Sequence, residues 1–235
     1  MPRVARIVLA DHPHHIIQRG NNRQDVFFTD DDRRAYLDLL AEQSERYGFT
    51  LLAYCLMTNH VHLVGAPRSA AGLARAIGRT HWLYTQYINR LHRRSGHLWQ
   101  NRFFSCPLDE RHCWQACIYV ERNPVRARMV RLAWRYPWSS AAAHAGEIAP
   151  EQCLDMAAWK DLCETRGWRG ELQRPEDEAA VRRLRGATHT GRPLVSDGFL
   201  SKLEHRFGRR LRARQVGRPK KAAGNRRRKP PSRNR

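Results

Sequence analysis

The stretch FTLLAYCLMTNHVHLV (49–64) decides how the rest of the chain is read. Phe49 to Met57 is a compact apolar run with aromatic character, the pattern of a buried strand. Thr58-Asn59 breaks it for two residues, and His60 to Val64 resumes, so 49–65 reads as a β-hairpin. On a strand, side chains two apart share a face, so His60 and His62 project together while Val61 enters the opposite side. Two imidazoles facing one way make half a site for a divalent cation. Taken alone, such a pair is more often an ordinary surface or core pair.

Upstream of the hairpin, HPHHIIQRG (12–20) reads as a short strand ending in a turn at Gly20-Asn21-Asn22. Thr29 followed by Asp30, Asp31 and Asp32 opens a helix, with acidic residues at its positive end. Tyr36, Leu37, Leu39, Leu40 and Tyr47 form its apolar face, and Gly48 ends it. Downstream, a helix is expected from about 69 to 94, bent or interrupted near Gly78. Residues 96–108 read as extended, 109–122 as helical up to Asn123-Pro124, and Trp138-Ser139-Ser140 as the cap of a short helix through His144. The order is β-α-β-β-α-β followed by helices. It predicts an α+β fold, a ferredoxin-like antiparallel sheet with helices on one side. Beyond Gly146 the pattern is helical over 151–166, 175–186 and 196–207 behind a Ser196 cap. Gly191-Arg192-Pro193 between them reads as a turn.

The 235 residues carry 43 Lys+Arg against 22 Asp+Glu, a net charge of +21. A hydrophobic fraction of 41 % with seven Trp supports a core and excludes a wholly disordered basic protein. No apolar stretch approaches the roughly 18 residues of a membrane span. The N-terminal apolar run, Ile7 to Ala10, is too short for a signal-peptide core. A cytoplasmic, nucleoid-associated protein is therefore expected. After Glu204 there is no acidic residue, and Arg206 to Arg235 holds 14 Lys/Arg. A basic tail beside a moderately basic body points to nucleic acid. Six cysteines without C-x-x-C spacing are expected as reduced thiols. Cys113 and Cys117 lie four apart beside His112, but without a second ligand pair they read as packing residues.

Tyr119 and Asn123 are also four apart, which stacks them on one helix face. A phenol and an amide oxygen presented toward a pair of imidazoles would supply a nucleophile and a third ligand. The plainer reading is a core aromatic and a helix C-cap before Pro124.

QRGNNRQDVFF (18–28), LMTNHVHLV (56–64), GHLWQNRFF (96–104), YVERNPVRA (119–127) and YPWSS (136–140) occur in this order. Together they resemble the single-tyrosine HUH transposases, in particular the REP-associated tyrosine transposases, over roughly residues 12–146. The resemblance implies that His60 and His62 are the metal-binding pair and Tyr119 the catalytic tyrosine. Asn123, where the wider class often has Gln, would be the third ligand. It further implies a Mg²⁺ or Mn²⁺ cofactor and cleavage and rejoining of single-stranded, hairpin-forming DNA through a 5′-phosphotyrosine. One tyrosine per chain makes one covalent junction at a time, so two coordinated cleavages need a homodimer or sequential action by a monomer. One departure is Arg128 in ARMV, where the family commonly has Gly; if φ is positive there, the side chain costs ~1 kcal/mol.

The resemblance and the charge pattern together suggest three parts: a catalytic domain (1–147), a helical extension (148–207) and a basic, disordered DNA-binding tail (208–235). Expected DNA contacts are Arg19, Asn22 and Arg23 on the first turn, and Trp99, Gln100 and Arg102 in LWQNRFF, mixing cations with a stacking surface. Arg126 reads as a partner for a phosphate or for an acidic neighbour. Arg218 and Lys220, in Gly217-Arg218-Pro219-Lys220-Lys221, resemble a minor-groove hook. The rival class is a catalytically idle hairpin-binding regulator. An RNA-directed role is the third, because hairpin shape does not separate RNA from DNA.

Overall fold

The computed structural model describes residues 6–163 and 167–212. Four antiparallel strands form one sheet: β1 (His14–Arg19), β2 (Phe49–Met57), β3 (His60–Pro67) and β4 (Phe104–Pro107). Their order across the sheet is β2-β3-β1-β4, the ferredoxin-like arrangement. Two crossover helices, α1 (Asp30–Tyr47) after β1 and α2 (Ala70–Leu91) after β3, return the chain across the sheet. Thr29 closes a reciprocal capping box with Asp32 at the start of α1, and Gly48, in the left-handed conformation at φ 63°, ends it. Gly20 ends β1 where a Cβ would meet the Gln24 carbonyl oxygen at 2.2 Å, so only glycine lets the chain enter the following turn.

α1 and α2 lie on one face of the sheet, as the strand order requires. Ile16, Tyr54, Leu56, Val61 and Leu63 meet Tyr36, Leu40, Leu73, Ile77 and Tyr84 there in one buried cluster. The opposite face is also covered. α3 (Glu110–Glu121) packs Cys113, Ala116, Cys117 and Val120 against Cys55, Val64 and Cys106. Helices α4 (Asn123–Arg126), α5 (Ala141–His144), α6 (Met156–Leu162), α7 (Trp168–Gln173) and α8 (Glu178–Thr190) follow, and Trp159, Trp168, Leu172 and Leu184 join this second core. α9 (Asp197–Phe207) closes against Ile7 and Leu9 through Leu203. The residues beyond 148 thus share a hydrophobic core with the sheet.

Several local expectations shift. α2 runs unbroken through Gly78, whose missing side chain faces open space, so nothing forces a bend. Only 104–107 of the expected 96–108 strand pairs with β1; the preceding loop is held by Gln100 N–H donating to the Arg19 carbonyl at 2.9 Å. The 151–166 helix contracts to α6, capped by Asp155 through a bond from Ala158 N–H of 2.9 Å. Ser140 starts α5 without capping it, because its hydroxyl donates to Glu121. Gly191 is the left-handed C-cap of α8, which makes Gly191-Arg192-Pro193 the turn the sequence suggests. No helix among the described residues is long and apolar enough to cross a membrane.

Candidate active site

β3 aims His60 and His62 at the α3 side of the sheet, and cross-strand pairing brings their neighbours. Ile17 stands opposite His62 and Arg19 opposite His60 on β1, so Arg19 and, four residues back, His15 share that face. The His60 and His62 rings are 5.1 Å apart, and His15 stacks on His62 at 5.3 Å. From α3, the Tyr119 ring packs edge-on against both His15 and His62, each at 5.6 Å. These residues, with Arg19, Gln100, Asn101, Phe104, Asn123, Arg185, Thr188 and His189, line a cavity of about 660 Å³.

The hydrogen bonds assign the proton on each ring. Thr188 Oγ1 donates to the Leu184 carbonyl at 2.8 Å, which leaves it an acceptor for His15 Nδ1–H at 2.7 Å. His15 Nε2 is then a bare lone pair, and it accepts from His62 Nδ1–H at 3.0 Å. His62 Nε2 is left bare in turn. His60 donates Nδ1–H to Asn59 Oδ1 at 2.7 Å, leaving its own Nε2 bare. Burial reinforces the neutral state: it pushes His60 down to about 4, His15 to about 3 and His62 well below the usual imidazole range, with Arg126 adding to each shift. Neutral imidazoles whose second nitrogen is held by an outer partner are the form that ligates metal.

Asn123 follows a break in the helix at Arg122, where α3 ends. Its amide Nδ2 donates to the carbonyls of Val120 (3.1 Å) and Tyr119 (3.3 Å), closing the end of α3. The capping role and the ligand role are therefore compatible, since capping uses the nitrogen and leaves Oδ1 as the remaining acceptor. Two imidazole nitrogens and one amide oxygen form a donor set that suits Mn²⁺ or Mg²⁺ with water or phosphate oxygens completing the shell.

Two guanidinium groups attend Tyr119. Arg185 Nε donates to the phenol oxygen at 3.2 Å, and Arg126 stands 4.2 Å over the ring. Arg126 also pairs with Glu176 and donates to the Tyr119 carbonyl at 2.8 Å, so the acidic neighbour is the partner it has here. Among the expected DNA contacts, Arg19 and Gln100 line the cavity and Arg102 is exposed beyond it. Asn22 and Arg23 are exposed in a turn at positive φ (50° and 61°), tied to the site because Asn59 Nδ2 donates to the Arg23 carbonyl at 3.1 Å. Trp99 is 9 % exposed, packs in the α1–α2 core beside Tyr36 and Tyr84, and donates Nε1–H to the His81 carbonyl at 3.1 Å, so most of its indole is core rather than stacking surface. Arg218 and Lys220 lie outside the described residues.

His15, Thr188, Arg185 and Phe104 were not legible as site residues. His15 carried a signal, a histidine on the strand before the hairpin, but its face depended on an unknown register. Thr188 and Arg185 arrive from a helix more than sixty residues past Tyr119. Phe104, 38 % exposed beside His189 with ring centroids 5.0 Å apart, offers the aromatic surface at the cavity that Trp99 does not.

The sequence model of the family described as Transposase IS200 like matches residues 9–123. Among solved structures, a REP-associated tyrosine transposase bound to a REP hairpin is similar in fold, with a TM-score of 0.54 and 14 % identity, covering 67 % of this chain and 96 % of that one. A putative transposase from Deinococcus radiodurans R1 aligns at 21 % identity and a TM-score of 0.36, over 52 % of this chain and 97 % of its own. No curated protein matches the sequence. The matched segment begins just before β1 and ends on Asn123, so it contains the whole sheet, the histidine pair and the tyrosine, and over that segment the chain is similar to the IS200-like transposases.

Proposed function

We propose that the protein is a metal-dependent, single-tyrosine strand transferase that cleaves and rejoins single-stranded DNA at hairpin-forming, REP-like elements. The observation that carries the reading is the Tyr119 phenol, edge-on to His62 and hydrogen-bonded by Arg185, in one cavity with the bare nitrogens of His60 and His62. His60 Nε2, His62 Nε2 and Asn123 Oδ1 would hold a divalent ion, Mg²⁺ or Mn²⁺. Such an ion, when bound, supplies Lewis-acid polarisation of the scissile phosphate and screens its charge.

The chain's own groups account for the rest. Tyr119 loses its phenolic proton as its oxygen attacks phosphorus, and Arg185, already on that oxygen, stabilises the charge that develops. The bond from phosphorus to the 3′ oxygen breaks, and that oxygen leaves as a 3′-OH after taking up a proton. The product is a 5′-phosphotyrosine on Tyr119, and a second 3′-OH reverses the step to join new ends. Arg19 on the same face is placed for a backbone phosphate, and Phe104 for a splayed base. The fold similarity to a transposase whose structure holds a REP hairpin supports the substrate class.

The test is a covalent-adduct assay on hairpin oligonucleotides from the surrounding genomic DNA. The expected result is a slower band on a denaturing gel that needs Mn²⁺ and disappears with EDTA or in Tyr119→Phe. Hairpin binding without any adduct would instead assign the protein as a catalytically idle regulator.

A further inference from the structure

Behind the tyrosine, on the far side of α3, lies a second set of metal-ligating side chains. Cys113 and Cys117, one turn apart on α3, meet Cys163 at the end of α6, and their three sulfurs all lie within 4.8 Å of one another, fully buried. The Cys117 and Cys163 sulfurs are 4.0 Å apart. Thiolates on one tetrahedral zinc, with bonds of about 2.3 Å, stand about 3.8 Å from each other. Sulfurs bound to different irons of a cluster stand farther apart, so this spacing fits a single ion.

A further donor lies in the same core, outside the 4.8 Å spacing that the three sulfurs share. His144, at the end of α5, stacks on Trp159 at 3.7 Å and meets Trp168 edge-on at 6.0 Å. Its side chain is completely buried, and Nε2 has no hydrogen-bond partner. Its other nitrogen donates to Glu121. Ser140 Oγ and Trp168 Nε1 donate to the same carboxylate, the latter at 2.9 Å, so every group facing Glu121 is a donor and the imidazole proton sits on Nδ1. A buried ring nitrogen with a bare lone pair is costly unless something uses it. A histidine held by a carboxylate on one nitrogen and open on the other is how metal-bound histidines are oriented.

We infer that Cys113, Cys117 and Cys163 bind a structural zinc ion through their three thiolates, which His144 Nε2, held by Glu121, would complete only by shifting toward the sulfurs. Zn²⁺ replaces the three thiol protons on binding, with no change of oxidation state. The ion would join α6 to the helix that carries Tyr119, two residues past Cys117, and so hold the nucleophile's helix in place. This site is independent of the reading of Tyr119.

The experiment uses the full chain purified under reducing conditions, together with His60→Ala/His62→Ala to remove the other metal pair. Elemental analysis should find one zinc per chain in both. Replacing zinc with Co²⁺ should produce a sulfur-to-cobalt charge-transfer band, which nitrogen and oxygen ligands cannot give. Cys163→Ser should abolish the band, and His144→Ala should keep it while shifting the cobalt d–d bands. If Cys163→Ser fails to fold, the cobalt spectrum of the parent chain decides. Lack of both zinc and the charge-transfer band, or a Cys117–Cys163 disulfide in the purified protein, would overturn the assignment. Unchanged d–d bands in His144→Ala would remove His144 from it.

Discussion

Arg128 sits at φ 58°, just past α4. Its N–H donates to the Val125 carbonyl, and Met129 N–H reaches back to Pro124, both at 2.9 Å. That pattern is a Schellman ending with Arg128 at the left-handed position where glycine is preferred. The departure from glycine noted in the sequence therefore falls on a residue that needs positive φ. Arg128 is exposed, so Arg128→Gly should stabilise the fold by about 1 kcal/mol in chemical denaturation. His15 presents the opposite case, a residue whose value lies in what it does to another. Both its ring nitrogens are engaged, by Thr188 and His62, so it acts as a positioning residue that fixes the tautomer of His62. His15→Ala should weaken Mn²⁺ binding roughly 10–100-fold, read by Mn²⁺ titration. A variant that melts like the parent and binds Mn²⁺ equally well would assign His15 to packing alone.

At the scale of elements, α8 does more than cover the sheet. It presents Leu184 to the core, Thr188 to His15 and Arg185 to Tyr119, residues one turn or less apart that share a helix face. A hydrogen bond to a charged group contributes ~1.5–3 kcal/mol, which in a transition state corresponds to roughly 10- to 100-fold in rate. Arg185→Ala should slow adduct formation by about that factor in single-turnover assays. An unchanged rate would reduce α8 to a structural cover. The β-α-β-β-α-β order was legible because strands and helices differ in apolar period and because Thr29, Gly48 and the Thr58-Asn59 break mark their ends. The extension was harder. Its helices are short and depend on tertiary packing, so α6 and α8 moved and α7 was not foreseen.

For the whole molecule, buried neutral histidines set a pH limit. Burial pushes His14 down to about 4 and His81 to about 3, from an ordinary value of 6.5. Below 6.5 the unfolded chain takes up protons there that the folded chain does not, so protonation favours unfolding. These groups leave stability unchanged above about pH 6.5, and stability should fall as pH drops from 6.5 toward 4. Denaturant titrations at pH 7, 5.5 and 4.5 would check this; a flat profile would show that the histidines are not buried in solution. Leaving α3 and the extension in place is essential to the site, because the second core binds the sheet, α3, α6 and α8 into one unit.

By itself, the sequence determined the α+β order, the shared face of His60 and His62, and the pairing of Tyr119 with Asn123. Each follows from a local period: two residues along a strand, four along a helix. Only the tertiary structure decided which histidine backs the pair, which arginine meets the phenol, and that Trp99 is core while Phe104 is exposed. It also turned Cys113 and Cys117 from two packing thiols into two of three clustered sulfurs, by bringing Cys163 to their side of α3. Those outcomes depend on strand register and on contacts between residues dozens of positions apart, and no local period encodes them.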